Sequence, residues 1–156
     1  MTLHDSDSIE LDNSWSPIYL YFKNNNIPWL DASVVIDNEE PVLLSMYIDY
    51  AAGDEIVLPD KANRKFNIPS ETKDILIGRA LSGDIYCKEG KISGLILGPY
   101  ELENIIASFA PAEIRSKQDN ADAVIGNRSL KRFNLIFDYH NEKLYLKPNT
   151  HFKDKY

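Results

Sequence analysis

An apolar run, Leu43 to Ile48, ends in an aspartate, Asp49. Tyr50-Ala51-Ala52-Gly53 follow, small residues apart from the tyrosine, and then a second apolar run, Ile56-Val57-Leu58. An aspartate that ends a buried strand just before a tight turn is held near apolar surroundings with its backbone exposed. Burial raises a carboxyl pKa above its reference of ~3.9. A second carboxyl nearby raises one of the pair further, because two like charges cannot both ionise at close range. A pair sharing one proton can hydrolyse: one carboxylate activates water while the other protonates a substrate oxygen. The same residues also fit a plainer role, in which Asp49 opens a turn by accepting bonds from its own backbone. On residue types alone the turn role stands first.

Other chemistries find little footing. The histidines, His4, His140 and His151, are scattered without ligand spacing, so no metal is expected. There is no nucleophile elbow, dinucleotide fingerprint or Walker loop, and no cofactor is expected. The single cysteine, Cys87, lies in a strand-like run without an evident histidine partner. It reads as a small apolar filler. Asn127-Arg128-Ser129 matches a glycosylation sequon, a pattern common by chance. Asp54 reads as solvated, Asp84 as a turn residue, and Asp122 and Asp138 as turn caps or surface residues.

The elements that must position Asp49 are short strands. Residues 1–14 are polar and acidic and read as a flexible tail, with one domain over 15–156. Ile18 to Phe22 is dense in β-formers. Ile27 to Ile36 and the run ending at Asp49 form a predicted hairpin across the polar turn Asp37 to Glu40. Residues 59–74 read mostly as loop. Gly78, Gly83, Gly90, Gly94 and Gly98 then punctuate short strands at Ile85 to Cys87, Lys91 to Leu97 and Leu102 to Phe109. Residues 110–121 read as an exposed connection or helical turn. Ala123-Val124-Ile125 is a predicted buried strand ended by Gly126, and Arg128 to Phe133 a short helix. Asn134 to Tyr139 and Glu142 to Leu146 make a closing hairpin, its Tyr and Phe residues assigned to the core. Many short strands with one or two short helices predict an all-β barrel or sandwich.

Length and composition bound the answer further. One domain fits in 156 residues, and 44% apolar residues suffice for a core without disulfides. The net charge of −7 argues against nucleic acid and against an anionic membrane surface as partners. No apolar run reaches the ~20 residues of a membrane span, and Met1 to Ser14 is not a signal peptide. Two locations stay open. The chain is cytoplasmic, or it is periplasmic or cell-envelope if a signal peptide has been removed and a start Met added.

Two stretches carry a resemblance. They are IDYAAGDEIVLP at 48–59 and ADAVIGNRSLKRFNLIFDYHNEKLYLKPN at 121–149, with LSGDIYCKEGKISGLILGPYELENIIASF at 81–109 between them. Together they resemble the single-lobe, retropepsin-like aspartic proteases common in Bacteroidetes-type bacteria, over about Ile27 to Phe152. The resemblance implies a closed retropepsin-like β-barrel with one short C-terminal helix. It places Asp49 at the family's catalytic aspartate, with Tyr50, Ala51, Ala52 and Gly53 as the catalytic loop. It makes Leu81, Ser82, Gly83, Asp84 and Ile85 part of a substrate-covering flap. Val124, Ile125 and Gly126 become the supporting strand that crosses beneath the loop. On local pattern Leu95-Ile96-Leu97-Gly98 competes for that last role; the helix and hairpin after Gly126 favour the second segment.

The motif is degenerate. Tyr50 replaces a threonine whose hydroxyl bonds across the family's dimer axis. Ala51 replaces a glycine, and a left-handed backbone there would cost about 1 kcal/mol. Three functions compete. The first is an aspartic endopeptidase that hydrolyses peptide bonds with the two Asp49 carboxylates of a homodimer. The second is an inactive homologue that binds peptide or acts as an interaction module. The third is an all-β domain that docks another protein through an apolar patch.

Overall fold

The computed structural model describes residues 10–23, 26–60, 64–80, 83–111 and 121–154. Two strands open the described chain, β1 (Ser16–Tyr19) and β2 (Tyr21–Lys23). They are not the single run the sequence suggests. Leu20 between them is buried, and the strands join different sheets. β3 (Ile27–Val35) and β4 (Val42–Asp49) form the expected antiparallel hairpin. Its turn uses Asp37 and Asn38, both at positive φ, with Glu39 N–H donating to Ile36 O. Positive φ at both central residues matches the right-handed twist of the flanking strands.

β5 (Ile56–Val57) is short, and a long hairpin follows from β6 (Thr72–Ala80) and β7 (Gly83–Leu97). The outgoing strand β6 starts inside the stretch expected to be loop. Its charges, its glycine and a register shift between Leu76 and Gly78 disguise the period-two alternation of a strand. The glycines at 90 and 94 do not divide β7 as expected. Gly98 does turn the chain, at φ +58, into β8 (Tyr100–Phe109). β9 (Ala123–Gly126) leads into α1 (Asn127–Leu130). The helix begins and ends earlier than the sequence reading, because Phe133 already starts β10 (Phe133–Asp138). β11 (Lys143–Pro148) completes the closing hairpin.

The large sheet runs β2-β3-β4-β9-β5-β8-β7-β6, and a further β3–β7 pairing closes six of these strands into a barrel. A small sheet, β1-β11-β10, stands beside it. Leu30, Leu44, Met46, Ile56, Ile92, Leu95, Ile105 and Ile125 fill the core. Trp29, Tyr47, Val57 and Val124 make a second cluster. β4 and β9 contribute to both clusters, so their ends read as continuous apolar runs rather than alternating ones.

Not every aromatic residue is core. Tyr139 is exposed and stacks on Phe22 and Phe137. No described helix is long and apolar enough to cross a membrane.

Cys87 is buried on β7. Burial pushes its thiol pKa up, and the negative charges of Asp54, Glu89 and Asp74 push it the same way. Only the thiolate is a good nucleophile. Native protein at pH 8 will therefore resist iodoacetamide, while urea-unfolded protein will alkylate readily, as intact mass will read.

Candidate functional site

The site is built where β9 lies between β4 and β5. Its pairing with β4 is parallel and its pairing with β5 antiparallel. The chain from Asp49 to Ile56 must therefore pass over the end of β9. It does so at Gly126, the register partner of Asp49. A Cβ on Gly126 would lie 2.2 Å from Asp54 O and 3.2 Å from Ala52 O. Three backbone bonds fasten the crossing: Gly126 N–H to Glu55 O, Asn127 N–H to Ala52 O and Arg128 N–H to Asp54 O. Of the two apolar-Gly segments, 123–126 is thus the one beneath the loop. Leu95 and Ile96 pair with β3 instead.

Asp49 is half-buried. Its Oδ1 accepts the N–H groups of Ala51 and Ala52, at 3.1 and 3.2 Å. This is the self-bonded turn that residue types alone suggest. It also fixes the carboxylate, with one oxygen occupied by backbone donors. Ala51 is not among the residues at positive φ, and Gly53 has no atom within 4 Å of an added Cβ. Ala51 therefore carries no left-handed strain. Tyr50 is 54% exposed at the turn.

The other sequence-predicted residues fall as follows. Val124 and Ile125 are buried on β9, one in each apolar cluster. Gly83, Asp84 and Ile85 open β7, paired with Ala80, Arg79 and Gly78. Asp84 is thus a strand residue rather than a turn residue. Leu81 and Ser82 lie outside the described residues. The flap-like hairpin is longer than expected, since β6 supplies its other arm. Leu76, Ile77 and Tyr86 are exposed on it, Leu76 and Tyr86 as register partners. Asp54 is not solvated: it is half-buried and accepts the Ser108 hydroxyl at 2.7 Å. Asp122 takes Lys65 and the Ser45 N–H. Asp138 caps the closing turn through Asn141, which holds its carboxyl below the usual carboxylate range.

Sequence reasoning misses the group under the loop. Glu55 and Arg132 are both buried, and Arg132 Nη2 donates to Glu55 Oε1. Glu55 Oε2 accepts Ile106 N–H at 2.6 Å, and Ser129 Oγ donates to Glu55 O at 2.9 Å. The one available signal is a charged residue placed directly before Ile56-Val57-Leu58. Nothing in the spacing pairs it with Arg132. No cluster of His, Cys, Asp and Glu suited to a metal ion occurs among the described residues.

A solved structure of a retropepsin-like aspartic protease from Rickettsia conorii has a similar fold. The match has a TM-score of 0.59 and covers 85% of this chain and 90% of that one. The chain has a retropepsin-like fold. At 18% identity the likeness speaks for the fold alone. No family model and no curated protein matches the sequence.

Within that retropepsin-like architecture, one chain offers a single Asp49 loop. The loop can hold a carboxylate for proton transfer. A shared-proton pair requires a second loop beside it.

Proposed function

We propose that the protein is an aspartic-type endopeptidase that works as a homodimer. The reading rests on one observation above others: the Asp49 carboxylate is held by two backbone N–H groups on the strand-end loop of a retropepsin-like fold. In the dimer two Asp49 side chains meet on the two-fold axis and share one proton. The ionised member takes a proton from water, whose oxygen attacks the peptide carbonyl carbon. The protonated member gives its proton to the carbonyl oxygen. Collapse of the tetrahedral adduct then breaks the C–N bond, with a proton passing to the departing amine. The β6–β7 hairpin is the flap that covers the peptide, and no metal or cofactor takes part.

The test is cleavage of an unfolded protein at acid pH. Asp49→Asn is expected to lower turnover by about 10³-fold or more, and a statine-type inhibitor to block it. Unchanged turnover in Asp49→Asn excludes the mechanism.

A second reading has its own support. Tyr50, exposed beside Asp49, puts a long phenol where the resembled family has a short hydroxyl at the dimer axis. Among the described strands β6 is also an edge of the large sheet, and a sheet edge can take an extended peptide by strand addition. On this reading the chain binds peptide without cutting it. Sedimentation separates the two: a monomer at working concentration rules out the dyad, while a dimer that turns over peptide rules out the binding module.

A further inference from the structure

Among the described residues, the buried polar and charged side chains are Glu55, Ser108, Ser129 and Arg132. All of them converge on one short piece of chain, Asp54-Glu55. Ser108 bonds the Asp54 carboxylate, and Ser129 bonds the Glu55 carbonyl. Arg132 and the Ile106 N–H both bond the Glu55 carboxylate. Removing two charges from water is costly unless each is well bonded, and nothing elsewhere in the described barrel is built this way. Glu55 is also where the loop that begins at Asp49 rejoins the sheet. Its carbonyl takes the N–H of Gly126, the residue registered against Asp49.

We infer that Glu55 and Arg132 are a positioning pair for the Asp49 carboxylate. The loop from Asp49 to Glu55 is anchored at its start by β4. At its far end the Glu55 carboxylate ties it to Arg132, just past α1, and through the Ile106 N–H to β8. With both ends fixed, Ala51 and Ala52 can aim their N–H groups at Asp49 Oδ1. With the far end released, those donors lose their direction while the barrel ladders stay formed. The inference rests on taking Asp49 as the working carboxylate, but its test reads loop geometry and needs no peptide.

The test is amide hydrogen exchange by NMR on Glu55→Gln and Arg132→Lys. Glutamine keeps the volume and can still accept from Ile106, but it removes the charge facing Arg132. Lysine keeps the cation and loses the planar fork. In Glu55→Gln, protection at Ala52 and Asn127 is expected to fall about tenfold or more beyond any fall in the β3–β4 ladder. The fall in Arg132→Lys is expected to be smaller, since the cation remains. Equal loss at the loop and the ladder overturns the inference, because the pair then merely holds the fold together. No loss at the loop overturns it too. If Glu55→Gln does not fold, Arg132→Lys alone decides by the same comparison. Failure of the peptidase reading shows separately, as Asp49→Asn with unchanged turnover.

Discussion

Gly126→Ala is expected to lower the stability of the protein by more than about 3 kcal/mol, at or beyond the upper end of ordinary overpacking costs. The backbone of Gly126 is ordinary extended chain, φ −99 and ψ 177, so the cost is purely steric. The new methyl would stand 2.2 Å from Asp54 O and 3.0 Å from Asp54 C. Both are main-chain atoms of the crossing loop, and neither can swing aside as a side-chain tip could. Relief would need the loop to lift, and lifting breaks the bonds from Gly126, Asn127 and Arg128 to that loop. Urea unfolding will read the loss as a lower midpoint. Gly53→Ala is the control on the same loop. It has open space and no positive φ, and should be neutral or stabilising by up to about 1 kcal/mol, through a less flexible unfolded chain. Similar stabilities for the two variants would disprove the close crossing.

Arg132→Met is expected to cost about 3–5 kcal/mol, because it strands the Glu55 carboxylate in the interior. The Glu55 side chain is 1% exposed, so water cannot replace the lost guanidinium. Its other oxygen keeps the Ile106 N–H, which satisfies a lone pair but does not neutralise a charge. The pair itself contributes much less than this figure, since its formation already required desolvating both ions. A double variant, Glu55→Gln with Arg132→Met, removes both charges and keeps an acceptor for the Ile106 N–H, and should therefore recover most of the loss in the same urea titration. If the double variant is as unstable as Arg132→Met alone, packing of the arginine stem rather than stranded charge sets the cost. Both effects are large against the 5–15 kcal/mol that typically separates folded from unfolded protein.

The residues show why part of this was legible beforehand. The β3–β4 hairpin announces itself through a polar turn with Asp37 and Asn38, the residue types that accept positive φ. β10 and β11 do so through alternation across a short polar connection. Asp49 is visible because a carboxylate abruptly ends an apolar run. β6 was hidden by its bulge, and the division of β1 from β2 by the lack of any break at Leu20. Asp54 looked solvated because two acidic residues in a row normally are; the Ser108 hydroxyl that holds it lies 54 residues away.

Local pattern thus determined the strand-rich class, the position of Asp49 and the turn it opens, because alternation and turn chemistry act between near neighbours. The resemblance carried by 48–59 and 121–149 pointed to the retropepsin-like barrel. Only the tertiary structure decided that β9 lies between β4 and β5, that Ala51 is unstrained, and that Glu55 meets Arg132. Each of these depends on which distant segments touch, and Glu55 and Arg132 stand 77 residues apart. A buried charge reads in sequence like any exposed one until its partner is in view.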